Sequence, residues 1–263
     1  MTTKRDIEFK NIGGRKLLLD VYMPEEASVP IRPIAWICGG GWAQMRKEAG
    51  GERAAWIVDH GFALVAFQYR VSDEATFPAQ IEDCKAAVRW IRAHAGEYGF
   101  DSDHVGAWGD SAGGHLASLL GTSATEASFD ADGFYEGESS EVQAVCAFYP
   151  PTDFTHWSRK WKSEMNEVVK LLGGHPRDLP EKARAASPVC HVSPGSAPHL
   201  IVHGEADDLV PLHQSHRLRD ALADAGVEVT LHVLPDVGHS GEVVYGREDV
   251  RGYIVEFFSR HLG

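Results

Sequence analysis

Val105-Gly106-Ala107-Trp108-Gly109-Asp110-Ser111-Ala112-Gly113-Gly114 is the stretch from which the rest of this chain is read. It joins an apolar run (Val105, Ala107, Trp108), suited to a buried strand, to a run of small residues over 112–120 suited to a helix. At the junction Gly109 to Gly113 spell G-x-S-x-G. A serine hydroxyl is a poor nucleophile until a neighbouring base takes its proton, so a serine used in this way stands exposed at a sharp strand-to-helix turn. Such a turn crowds the residues two before and two after it, and Gly109 and Gly113 have no Cβ to clash. Gly114 then lets the helix press on the sheet. A motif this short arises by chance in many chains; its placement between a strand pattern and a helix pattern gives it weight.

Working outward, the 263 residues suit one large domain, and with 43% hydrophobic residues they can bury a sizeable core. The formal net charge of -13 argues against nucleic acid or an anionic membrane surface as partners, since an acidic field repels both. Neutral or cationic small substrates fit better. Cys38, Cys84, Cys146 and Cys190 lie far apart with no C-x-x-C pair, so they read as buried thiols, with no metal site and no cofactor expected. The first residues lead into a strand pattern without an apolar signal segment, and nowhere do 18 apolar residues run together, so a cytoplasmic protein is expected. Oligomeric state is not legible.

Upstream of the motif, residues 6–23 read as two antiparallel strands joined by Gly13-Gly14, and 34–38 as a strand buried on both faces that runs into Gly39-Gly40-Gly41-Trp42. Residues 51–60 suggest a helix stopped near Gly61, and 62–69 another buried strand. Phe77, Ile81, Cys84, Val88, Ile91 and Ala95 recur at helical spacing. Downstream, 122–141 is rich in Ser, Glu, Asp and Gly and reads as a solvated excursion; 142–149 is a strand. Residues 150–195 form a polar, helix-prone, cap-like insertion with Trp157 and Trp161. Strands at 199–203 and 227–234 and helices at 212–225 and 243–260 follow. The alternation implies an α/β fold: a mostly parallel sheet with antiparallel N-terminal strands and helices on both faces.

In such a sheet reactive residues belong on the loops at the carboxyl ends of strands. One strand end offers three glycines whose N–H groups can converge on one point. Another offers Ser111, a third Gly204-Glu205-Ala206-Asp207-Asp208, and the last Gly238-His239. Serine, acid and base occur in the chain order Ser, Asp, His.

These motifs resemble those of the α/β-hydrolase serine esterases. Gly109 to Gly114 matches the G-D-S-A-G-G elbow, Cys38 to Trp42 the H-G-G-G-W oxyanion loop, His203-Gly204 through Asp207 to Val210-Pro211 the acid loop, and Gly238-His239 the base loop. Among branches, the chain resembles the small bacterial carboxylesterases near the feruloyl and acetyl esterases; with few residues before the first loop, the N-terminal cap of the hormone-sensitive-lipase-like branch is not expected. The resemblance implies Ser111 as nucleophile, His239 as general base and acid, Asp207 as the group that orients it, and the N–H groups of Gly40, Gly41 and Ala112 as an oxyanion hole. Asp208 competes with Asp207 for the acid role, and Asp110 reads as a structural hydrogen-bond acceptor. Trp42, Trp157 and Trp161 are candidates for the substrate pocket. One departure stands out: Cys38 occupies the position usually held by histidine, where a thiol is a weak donor. The implied activity is cleavage of short acyl or aryl esters, of acetyl- or feruloyl-esterase type, with a small ester as partner. Arylformamide-like amide hydrolysis and non-catalytic binding on the same fold are the alternatives.

Overall fold

The computed structural model describes residues 1–26, 30–130, 132–156, 165–239 and 241–263. Eight strands, β1 (Thr2–Ile12), β2 (Arg15–Met23), β3 (Arg32–Ile37), β4 (Phe62–Phe67), β5 (Gly106–Asp110), β6 (Ala144–Phe148), β7 (His199–Gly204) and β8 (Val229–Leu234), form one sheet in the order β1-β2-β4-β3-β5-β6-β7-β8. β1 and β2, and β2 and β4, pair antiparallel; every later pairing is parallel. The helices are α1 (Glu48–Arg53), α2 (Ala79–Ala93), α3 (Ala95–Tyr98), α4 (Ala112–Thr122), α5 (Met165–Leu172), α6 (Pro180–Ala185), α7 (His213–Asp224), α8 (Gly241–Gly246) and α9 (Glu248–His261). Among the described residues no helix is long and apolar enough to cross a membrane.

The central strands are uninterrupted apolar runs because both of their faces are covered. In β3, Ala35 and Ile37 join the core beneath α2 and α4, while Ile34 and Trp36 join the opposite core beneath α1 and α9. All four are fully buried. α7 packs on the α2 side, where Leu218 and Leu222 meet Ile201 of β7. Burying a side chain of this size contributes roughly 1.5–3 kcal/mol, so the two cores outweigh what any surface ion pair supplies.

Three elements differ from expectation for physical reasons. The segment 51–60 is split into α1 and a 3-10 turn over Ala55–His60, with Gly61 in the left-handed region ending it. The C-terminal helix is broken at Arg247, whose backbone is extended, and Arg251 donates to the Tyr245 carbonyl left open at the break. The break frees α8 to press Tyr245 against Trp36, its hydroxyl accepting from the indole at 3.1 Å. The excursion at 122–141 is anchored by charge. Asp130 and Asp132 accept hydrogen bonds from Lys85, Arg89 and Lys10, and Lys10 also pairs at 2.7 Å with the fully buried Asp83. A polar composition therefore concealed counter-ions for buried cations, and removing one partner of such a buried pair costs about 3–5 kcal/mol.

Candidate active site

The turn after β5 has the strain that the glycine pattern implied. Ser111 has φ 54° and ψ -119°, a conformation that costs a non-glycine residue about 1–3 kcal/mol. Its neighbours hold it there: the Ser111 N–H donates to the Phe148 carbonyl at 2.9 Å, and the Ser111 carbonyl accepts from the His115 N–H at 2.9 Å. Gly113 is obligatory on contact grounds, since a Cβ there would lie 2.0 Å from the Ile37 carbonyl oxygen.

The three chemical groups assemble from three strand ends. His239 Nε2 lies 3.0 Å from Ser111 Oγ, and His239 Nδ1 lies 2.8 Å from Asp207 Oδ2. The other Asp207 oxygen accepts the Leu209 and Val210 N–H groups at 3.0 and 2.8 Å. Burial acts to raise the Asp207 pKa, but hydrogen bonds from His203 and His239, the charge on His239 and the Val210 N–H outweigh it, and the carboxyl is held well below its ordinary range. Between the two adjacent acids, Asp207 is the one that meets the imidazole.

His203, which sequence reasoning placed simply at a strand end, is a second donor on this acid. Its Nε2 is 2.8 Å from the Val210 carbonyl and 3.3 Å from Asp207 Oδ2, and its Nδ1 is 2.6 Å from Ser215 Oγ. A carbonyl cannot donate, so the proton sits on Nε2 and Nδ1 accepts from the serine hydroxyl. The available signal was its position four residues before Asp207 at the end of a buried strand.

The glycine turn lines the same cavity as Ser111, about 640 Å³ in volume, whose wall includes Gly40, Gly41 and Ala112. Ala112 is the first residue of α4, so its N–H has no partner within the helix and lies at the positive end of the helix dipole. Gly40 has φ 117°, and its carbonyl takes the Ala43 and Gln44 N–H groups at 3.1 and 2.9 Å; a Cβ would fall 2.0 Å from the Gln44 oxygen. Side chains other than residue 38 brace this turn. Tyr69 donates its hydroxyl to the Cys38 carbonyl at 2.9 Å, the Gly39 N–H donates to Asp110 at 3.2 Å, and Ser72 holds the Trp42 carbonyl through its N–H and hydroxyl. Burial pushes the Cys38 thiol up to about 11, so it stays neutral and the backbone contacts carry the loop.

Trp42 lines the cavity but is only 3% exposed, and its ring stands edge-on to both His115 and Phe154. Its indole N–H donates to His115 Nδ1 at 3.1 Å, which leaves His115 Nε2 to donate to the Ala186 carbonyl at 2.7 Å. One neutral imidazole thus ties the glycine turn, α4 and the chain after α6 together. Its signal in the sequence was a lone histidine among small and apolar residues, one helical turn after the serine. Trp157 and Trp161 lie outside the described residues. From the insertion, Glu167 and Val168 of α5 reach the cavity wall instead. A cleft of similar size, about 690 Å³, carries Arg177, Arg184 and Arg217 and none of the three chemical groups. Among the described residues no group of three or more His, Cys, Asp or Glu side chains is placed to hold a metal ion.

His115 and His199 are fully buried, and burial lowers each pKa from 6.5 to about 4. Their unfolded counterparts bind protons at higher pH than the folded ones, so stability falls as pH drops from 6.5 toward 4. Each histidine contributes up to about 3 kcal/mol to this loss. The melting temperature should therefore decline steeply across that interval, and less steeply in His199→Gln; an equal slope in both proteins would contradict the assignment.

Compared with known proteins, residues 19–222 match the BD-FAE family. Esterase LipQ of Mycobacterium tuberculosis is 31% identical over 262 residues, covering 95% of this chain and 62% of LipQ, so the chain spans less than two thirds of the length of that curated relative. A truncated carbohydrate esterase from gut microbiota superimposes with a TM-score of 0.88 at 27% identity, covering 99% of this chain and 96% of its own. Esterase 2 of Thermogutta terrifontis, phosphonylated by sarin, gives 0.82 at 25% identity, covering 98% and 92%; with butyrate bound it gives 0.79 at 25%, covering 98% and 91%.

Proposed function

Because the chain belongs to the BD-FAE family and has the α/β-hydrolase fold, we propose that it is a serine carboxylesterase for short acyl or aryl esters. The observation that carries the reading is the unbroken line from Ser111 Oγ through His239 to Asp207, with contacts of 3.0 and 2.8 Å, whose serine and histidine line a cavity of about 640 Å³. In this mechanism Ser111 attacks the ester carbonyl while His239 Nε2 takes the hydroxyl proton, and the same proton passes to the departing alcohol. The acyl group is then on Ser111, and a water activated by His239 releases it as the acid. Asp207 keeps the His239 proton on Nδ1, so that Nε2 is free to accept. The N–H groups of Gly40, Gly41 and Ala112 take the negative charge that develops on the carbonyl oxygen, each contributing about 3 kcal/mol.

The preference for short acyl groups follows from the cavity wall. Val168, Leu209 and Pro151 supply apolar surface, but Arg46, Arg53 and Glu167 interrupt it, and a long alkyl chain would have to strip water from those charges. Butyrate and propionate bound to the Thermogutta esterase support acyl groups of this size. A series of p-nitrophenyl esters from acetate to long chain, with methyl ferulate and an acetylated sugar, tests the reading. We expect kcat/KM to be greatest among the short esters and to fall at least about tenfold for long chains. A rate that rises with chain length would sink the short-acyl reading, and no turnover of any ester would sink the esterase reading.

A further inference from the structure

We propose that Arg53 is a positioning residue for this site, acting through the buried Asp110 carboxylate on the oxyanion turn and on the His239 imidazole; the inference rests on the esterase reading above. Asp110 is the residue immediately before Ser111, and its side chain is only 7% exposed. One of its oxygens accepts the Gly39 N–H at 3.2 Å, directly before Gly40 and Gly41, which line the cavity. The other is 3.3 Å from Arg53 Nη1 on α1. The guanidinium reaches across the cavity wall, its carbon 5.9 Å from the centre of the Tyr245 ring. Gly241, two residues after His239, completes the enclosure: a Cβ there would stand 3.5 Å from Arg53 Nη1 and 3.6 Å from Asp110 Oδ2. One cation on α1 therefore pairs with the residue before Ser111, bears through it on the glycine turn, and lies beside Gly241 at the start of α8.

The charges around Asp110 explain why the arginine is needed. Tyr149 and Tyr245 place their hydroxyls 3.5 Å from the carboxylate, and burial raises the pKa of both well above the ordinary value. Cys38 is likewise kept neutral by burial. His239 is near enough to act on Asp110 through its charge. Arg53 thus supplies the standing positive charge against a carboxylate whose burial favours the protonated form, which Arg53, the Gly39 N–H and His239 oppose. Ionised, Asp110 accepts the Gly39 N–H strongly and adds a second negative charge beside the imidazolium that forms during acyl transfer. Protonated, it loses the charge and weakens its hold on the turn.

The test compares Arg53→Met, Arg53→Lys, Asp110→Asn and the double variant R53M/D110N in the full chain, measuring kcat and KM for p-nitrophenyl acetate between about pH 5 and 9. Removing Arg53 raises the pKa of Asp110 further, so the acidic limb of kcat should move to higher pH. We expect kcat of Arg53→Met to fall about tenfold with KM within about twofold of wild type, and Arg53→Lys to recover most of the loss. Asp110→Asn keeps an acceptor for Gly39 but cannot titrate, so adding Arg53→Met to it should shift the limb no further. The proposal is overturned by a wild-type kcat and limb in Arg53→Met, by a loss confined to KM, or by a lowered melting temperature with an unshifted pH profile. Should Arg53→Met not fold, Arg53→Gln, which also removes the charge, takes its place with the same expected and overturning results. A wild type inactive on every ester would instead count against the esterase reading.

Discussion

Ser111→Ala should lower kcat/KM toward p-nitrophenyl acetate by about 10⁵-fold or more while leaving the fold intact. The hydroxyl lies 3.0 Å from His239 Nε2, and among the described residues no other hydroxyl or thiol is hydrogen-bonded to that nitrogen. Cys38 lines the cavity, but burial holds its thiol near 11, so it presents no thiolate at neutral pH. The fold should survive because the backbone bonds of residue 111, to the Phe148 carbonyl and from the His115 N–H, do not involve the side chain. Treatment with a fluorophosphonate should add one adduct to the wild type and none to the variant, with equal melting temperatures within about 2 °C. An adduct on the alanine variant would move the nucleophile elsewhere. An unreactive wild type would favour the non-catalytic reading of the same fold.

The second large effect is expected from Asp207→Asn, at about 10⁴-fold in kcat. The reason lies in the pattern of donors around the carboxyl. The Leu209 and Val210 N–H groups both point at Oδ1, so an asparagine must place its carbonyl oxygen there and turn its NH₂ toward His239 and His203. A donor at that point forces His239 Nδ1 to accept, which shifts the proton to Nε2 and removes the lone pair that must take the serine proton. The same NH₂ faces the His203 Nε2 proton, a donor against a donor, so a modest loss of stability should accompany the loss of rate. Asp208→Asn is the matched control, with kcat expected within about twofold of wild type. Equal losses in the two variants would count against Asp207 as the acid that the motif position singles out. Since Asp207 titrates well below the carboxylate range, it remains ionised throughout the working pH of an esterase.

The broken last helix and the 122–141 segment show why local patterns misjudge some elements. Val243 to Arg260 carries a helical pattern throughout, yet Arg247 is extended because Tyr245 is drawn to Trp36, a contact 209 residues away in the chain. Composition reports polarity without reporting partners, so Asp130 and Asp132 read as solvated although they neutralise cations buried under β1 and α2.

By itself the sequence determined the α/β architecture, the elbow and the order of serine, acid and base. Those features rest on interactions a few residues long: strand runs apolar on both faces, and glycines where a Cβ cannot fit. Tertiary structure alone decided that His203 and His115 are tied into the site, and that Tyr69 and Asp110 brace the glycine turn. Each of these is a directional bond between residues remote in sequence, and direction is set only when the strands have brought their ends together.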